Sequence, residues 1–140
     1  MCGIFGFQTH KKNLKKLREI TSILLKISQQ RGTDASGICV KYDSNNEVLK
    51  KGISGTKLSK TKTFNHLFDK IEASNKDMIS LIGQCRLSTH GESYIEDFNQ
   101  PVLNEKVCLV HNGIILNVDK ILEKKINSKS DTQLFASVIK

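Results

Sequence analysis

The apolar positions of this 140-residue chain alternate between two periods. Residues 2–7 form a short apolar run with two glycines and read as a strand that another backbone or a ligand can approach closely. Over residues 13–29, Leu14, Leu17, Ile20, Leu24 and Ile27 recur at spacings of three and four, which predicts an amphipathic helix stopped by Gly32. Residues 37–51 read as a hairpin, with Ile38–Tyr42 and Glu47–Lys50 flanking the turn residues Asp43, Ser44, Asn45 and Asn46. A second helix over Lys62–Ser74 carries Phe64, Leu67, Phe68 and Ile71 on one face. Two apolar strands follow, Met78–Arg86 and Val107–His111, separated by a loop over 87–104 that holds the single proline, Pro101. In the first strand Ile79, Leu81, Gly83 and Cys85 point one way, and Met78, Ile82, Gln84 and Arg86 the other. Both sets are largely apolar, so the strand is expected to be covered on both sides. Short helices are predicted near 118–125 and 131–140. The mixture of strands and helices predicts a layered α/β (α+β) domain.

Length and composition narrow this picture. A chain of 140 residues is expected to form one domain that buries roughly two thirds of its unfolded surface. No apolar run approaches the ~18–20 residues a transmembrane helix needs, so no membrane partner is expected. The segment Met1–Phe7 lacks the basic lead and apolar length of a secretory signal. A cytoplasmic protein is therefore expected, with Cys2, Cys39, Cys85 and Cys108 as reduced thiols. The formal net charge is +8, but of the 22 basic residues only Arg18, Arg31 and Arg86 are arginines. The lysines are scattered, the densest group being Lys11, Lys12, Lys15 and Lys16, and aromatics are 6% of the chain. That is the pattern of a solvated surface rather than a nucleic-acid stripe.

Four places carry candidate chemistry. Removal of Met1 would leave Cys2 with a thiol beside an α-amine of pKa about 7.7–8.0, so one residue would supply nucleophile and base; the plainer alternative is a buried structural cysteine. Asn112-Gly113 between apolar runs is a strong signal for a tight hairpin turn. The alternative is an oxyanion hole made from the Asn112 carboxamide and the Gly113 N–H, in which one donor is typically worth ~3 kcal/mol. Arg86 emerges from an apolar strand and needs a partner: an internal acid, or a substrate carboxylate gripped as a bidentate fork with Thr89 and His90 alongside. Ser130-Asp131-Thr132-Gln133 fits a helix capping box, which accounts for Ser130 and Gln133 and leaves the Asp131 carboxylate for a substrate ammonium. No Cys-x-x-Cys knuckle is present, and Cys108 and His111, three apart on a predicted strand, would face opposite sides, so no metal is expected.

The order of these motifs is more telling than any one of them. Cys2-Gly3-Ile4-Phe5-Gly6, Arg31-Gly32-Thr33-Asp34-Ala35-Ser36-Gly37 and Gly83-Gln84-Cys85-Arg86-Leu87-Ser88-Thr89-His90-Gly91 come first. Asn99-Gln100-Pro101, His111-Asn112-Gly113-Ile114-Ile115 and Ser130-Asp131-Thr132 complete the series. This series resembles the glutaminase domain of class II glutamine amidotransferases, N-terminal nucleophile hydrolases of the glucosamine-6-phosphate synthase and phosphoribosyl-pyrophosphate amidotransferase type. The resemblance implies a four-layer αββα sandwich and hydrolysis of the side-chain amide of L-glutamine, with no cofactor. It implies Cys2 as nucleophile with its α-amine as base, and Asn112 and Gly113 at the oxyanion. Arg86, Thr89 and His90 would hold the glutamine α-carboxylate and Asp131 its α-ammonium, with Arg31 in a supporting place near the nucleophile. An acceptor synthase domain or subunit would take the ammonia, and a homo-oligomer is compatible with the family. Leu87 stands where the family commonly has an aromatic, Gln84-Cys85 where it has His-Thr, and Gln133 where it has Glu. Family domains run on past the Ser-Asp-Thr motif, so the domain is expected to continue beyond Lys140; no acceptor domain is expected within residues 1–140. Two other readings keep the motifs: a catalytically silent interaction module, and an amidase for another amide.

Overall fold

In the four-stranded antiparallel sheet of the chain, β4 (Met78–Arg86) is an inner strand. The computed structural model describes residues 1–10, 14–42, 44–74, 78–88, 93–105, 107–116 and 130–139. In chain order the elements are β1 (Gly3–His10), α1 (Leu14–Ser28), a 3-10 turn (Gln29–Arg31), β2 (Ala35–Tyr42), β3 (Asn45–Lys51), α2 (Gly55–Leu58), α3 (Lys62–Ala73) and then β4. A 3-10 turn (Glu96–Phe98), β5 (Val102–Leu103), β6 (Cys108–Leu109) and α4 (Asp131–Val138) follow. The main sheet runs β1-β4-β2-β3, and β5 and β6 form a second antiparallel pair. Helices mixed with antiparallel sheets make this an α+β chain.

The register sets the two faces of the main sheet. Phe5 and Ile38 both lie opposite Gly83, and Val40 and Phe7 opposite Leu81. Ile38, Val40, Tyr42, Ile79, Leu81 and Cys85 therefore share one face with Phe5, and all belong to the core cluster with Leu17 and Leu25 of α1 and Phe64, Leu67, Phe68 and Ile71 of α3. Fully burying one such side chain contributes about 1.5–3 kcal/mol. α3 starts where Thr61 Oγ1 accepts from the Phe64 N–H at 3.1 Å, the N-cap bond that supplies an orphan donor with an acceptor. The Phe64 and Phe68 rings, one turn apart, sit 4.7 Å apart by centroid and fill the space between helix and sheet.

The helix over 13–29 is present, but its buried stripe is rotated from the one expected. Ile20 and Ile27 are 41% and 56% exposed, and the buried positions are Leu17, Thr21, Leu25 and Ser28. Thr21 can occupy the core because its hydroxyl donates to the Leu17 carbonyl at 2.8 Å. The strand expected over Val107–His111 reduces to β6, and the loop over 87–104 contains β5, which pairs Val102 with Leu109 and Leu103 with Cys108. The hairpin turn is shorter than expected, since Asn45 and Asn46 already belong to β3. The helix expected near 118–125 lies outside the described residues. No helix among the described residues is long and apolar enough to cross a membrane.

Candidate active site

Three chain segments meet at the end of the main sheet where β1 begins and β4 ends. Gly3 pairs with Cys85 and Ala35 with Arg86, so Cys2, the segment before β2 and the end of β4 converge there. Two glycines permit the approach. A Cβ at Gly3 would lie 2.4 Å from the Ser28 carbonyl oxygen, and one at Gly32 would lie 2.3 Å from the Arg86 carbonyl carbon. Asp34 then ties the corner: its N–H donates to the Arg86 carbonyl at 3.1 Å, and its Oδ2 accepts from the Ser88 N–H at 2.8 Å.

Cys2 and Asn112, 110 residues apart, form a reciprocal pair. The Cys2 N–H donates to Asn112 Oδ1 at 3.1 Å, and Asn112 Nδ2 donates to the Cys2 carbonyl at 3.2 Å. The Cys2 thiol is half-buried and faces the Leu87 carbonyl at 3.9 Å. Its neighbour Cys85 is a different kind of thiol. Burial first, and the nearby Cys2 charge second, push its pKa up to about 12, and its Sγ faces the Leu25 carbonyl at 3.5 Å inside the core. Cys85 therefore stays protonated, and of the two only Cys2 is accessible to a substrate. Cys85 is thus a buried core thiol.

Asn112-Gly113 is not a hairpin turn. Gly113 lies at a bend, no strand follows over 114–116, and both residues are exposed. The preceding residue is held instead. The His111 N–H donates to Gln100 Oε1 at 2.5 Å, and its carbonyl accepts from Gln84 Nε2 at 2.7 Å. Gln100 Nε2 continues to Thr132 Oγ1 at 2.9 Å. Gln84 is 1% exposed, and its Oε1 has no hydrogen-bond partner among the described residues. Such an unsatisfied buried acceptor costs about 1–3 kcal/mol.

Arg86 Nη1 donates to Asn99 Oδ1 at 2.9 Å. Asn99, 0% exposed, donates through Nδ2 to the Ser93 carbonyl at 2.6 Å, and its own carbonyl accepts from Lys50 Nζ at 2.9 Å. Burial lowers the Lys50 pKa, opposed by the charges of Asp97 and Glu96.

Asp131 opens α4, where Ser130 Oγ accepts from the Gln133 N–H at 3.2 Å as the cap requires. The Gln133 side chain donates to the Asp97 carbonyl at 2.9 Å. Asp131 has local partners that the capping motif alone did not suggest. Its Oδ1 accepts from the Thr132 N–H at 2.7 Å and from Thr132 Oγ1 at 3.2 Å. Its Oδ2 accepts from the Ile115 N–H at 3.4 Å and faces His111 Nδ1 at 3.8 Å. Asp131 is thereby joined to the segment that carries Asn112.

Arg31 is exposed, and its Nη2 lies 3.7 Å from the Met1 Sδ, next to the residue whose removal would free the Cys2 amine. Thr89 and His90 lie outside the described residues. Among the described residues no group of three His, Cys, Asp or Glu is placed to hold a metal ion. Reading single motifs missed Asn99, Gln84, Gln100, His111 and Asp34 as members of the site. The signal for Gln84 was there: a polar residue on a strand expected to be covered on both faces needs a buried partner.

Curated proteins similar to nearly the whole of this chain are class II glutamine amidotransferases, and the similarity lies in their glutaminase domain. Two of these relatives are a probable glutamine–fructose-6-phosphate aminotransferase [isomerizing] of Acanthamoeba polyphaga mimivirus, 30% identical over 131 residues, and a glutamine–fructose-6-phosphate aminotransferase [isomerizing] of Francisella tularensis, 30% identical over 148. The matches take in 93% and 99% of this chain, and 20% and 22% of those proteins. An amidophosphoribosyltransferase of Pasteurella multocida is 25% identical over 148 residues, 99% of this chain and 27% of that protein. The chain thus spans about a fifth to a quarter of the length of the curated relatives it matches. No protein-family model matches it.

Proposed function

We propose that this chain carries out the glutaminase half-reaction of an amidotransferase, with Cys2 as nucleophile once Met1 is removed. The observation that carries the reading is the reciprocal Cys2–Asn112 pair. The freed Cys2 α-amine takes the thiol proton, and Sγ attacks the side-chain amide carbon of L-glutamine. The carbonyl oxygen becomes an oxyanion that the Asn112 carboxamide and the Gly113 N–H stabilise. The C–N bond breaks, the amine returns its proton to the leaving nitrogen, and ammonia departs. Water then cleaves the γ-glutamyl thioester, giving glutamate and restoring the thiol. Asn112 now spends its amide on the Cys2 backbone, so substrate entry requires its Nδ2 to turn toward the new oxyanion.

Selection of an α-amino acid follows from opposite charges at its two ends. Arg86, with Thr89 and His90, takes the α-carboxylate, and a planar guanidinium suits that fork. Asp131 takes the α-ammonium, and Arg31 supports the nucleophile. In this reading α1 with α3, the main sheet, the β5–β6 pair and α4 are the four layers of an αββα sandwich. The ammonia passes to an acceptor synthase domain or subunit, in the cytoplasm, without metal or organic cofactor.

Ammonia release from L-glutamine, measured beside the Cys2→Ala variant and with intact-mass confirmation that Met1 is gone, tests the assignment. Cys2→Ala is expected to fall to background. Undiminished release by that variant, or activity in a chain that retains Met1, would sink it.

A further inference from the structure

We infer that Gln84 and Gln100 are positioning residues: they grip the His111 peptide from both sides and so hold Asn112 and Gly113 against Cys2. The inference rests on the glutaminase reading. The segment 111–113 belongs to no strand, so no ladder fixes it. Among the described residues, the His111 peptide is anchored by two side-chain amides from different parts of the chain. Gln84 of β4 donates to the His111 carbonyl at 2.7 Å, and Gln100, just before β5, accepts from the His111 N–H at 2.5 Å. One residue further on, Asn112 makes two reciprocal bonds to Cys2. A displaced His111 peptide would lose that alignment, and misplacement by about 1 Å can cost about 100-fold in rate.

Half of the Gln84 amide does nothing for the fold, since its buried Oε1 has no hydrogen-bond partner among the described residues. Methionine would fill a similar volume without stranding the buried Oε1. What methionine lacks is the donor to His111. Gln100 extends the grip, since its Nε2 reaches Thr132 Oγ1, and Asp131 beside it accepts from the Ile115 N–H. The clamp thereby couples the oxyanion side of the proposed site to its ammonium side.

The test measures kcat and KM for Cys2-dependent ammonia release on the full chain, together with amide hydrogen exchange across residues 111–115. Gln84→Met should lower kcat by about 10- to 100-fold, leave KM within about twofold and speed exchange at 111–115. Gln84→Glu keeps the shape and serves if Gln84→Met does not fold. A protonated carboxyl can donate to the His111 carbonyl and a carboxylate cannot, so its kcat relative to wild type should climb as pH falls. Unchanged kcat and exchange in Gln84→Met, or a Gln84→Glu profile parallel to wild type at every pH, would overturn the clamp. If wild type shows no Cys2-dependent release, the glutaminase reading fails, and the exchange measurement alone decides the clamp: faster exchange supports it and unchanged exchange overturns it.

Discussion

On the face of the main sheet covered by α1 and α3, Phe5, Ile38, Val40, Ile79 and Leu81 meet Leu17, Leu25, Phe64, Phe68 and Ile71 in an apolar core. On the opposite face, Gln84 and Arg86 of the same strand β4 reach polar partners, the His111 carbonyl and Asn99. Cys39, Lys41, Ser80 and Ile82 on that face line, with Val107 and Cys108, a cavity of about 200 Å³. One strand thus serves two purposes, divided by the alternation of its side chains. The first face is stabilised by non-directional burial, which tolerates substitutions of similar volume. The second depends on directional amide hydrogen bonds between residues far apart in sequence, where removing one partner strands the other. Stability and chemistry should therefore be separable by mutation.

The sharpest separation is Cys2→Ala, which should abolish Cys2-dependent ammonia release while leaving the thermal midpoint unchanged; loss of folding together with activity would break the division. Phe68→Ala on the helical face should cost about 3–5 kcal/mol by denaturant titration, with kcat of the folded fraction unaltered. Its counterpart, Asn112→Ala, should lower kcat by about 10²- to 10³-fold with little change in stability, because Asn112 is exposed.

Periodicity revealed the first face and largely missed the second. Phe64, Leu67, Phe68 and Ile71 were legible because one helix face carries all four at spacings of three and four, and all are buried. The helix of residues 14–28 was legible as an element but not in its orientation, because Thr21 and Ser28 read as polar while they face the core. β5 and β6, two residues each, are too short for any period to register. For the proposed site, Cys2, Arg86, Asn112 and Asp131 were named from their motifs, and the structure joins Cys2 to Asn112 directly. The partners Asn99, Gln100 and Gln84 were not singled out as site residues, because a side-chain amide discloses its role only through what it touches. For Gln84 that partner is 27 residues away.

Two smaller effects sharpen the contrast. Asp131→Asn keeps the acceptor for Thr132 and removes the charge, so KM for glutamine should rise about tenfold or more, with a smaller change in kcat; a KM unchanged by the substitution would remove Asp131 from substrate binding. On the helical face, the Glu47 carboxyl is held below its ordinary value, chiefly by the hydrogen bond from Tyr42 and then by Lys70. A lowered carboxyl pKa contributes stability above the unfolded value of about 4.3 that is lost as pH falls through the folded value. Glu47→Gln should then lower stability at neutral pH by about 0.5 kcal/mol or less and flatten the acid limb of the stability profile. An acid limb identical to wild type would contradict it.

The central claim, that Cys2 is the nucleophile beside Asn112, is tested most directly by acid-quenching the protein during turnover with L-glutamine and locating the covalent adduct by peptide mass. The account predicts one γ-glutamyl thioester, on the peptide that begins with Cys2, and none in Cys2→Ala. Ammonia release without any adduct at Cys2, equally fast in Cys2→Ala, would contradict it.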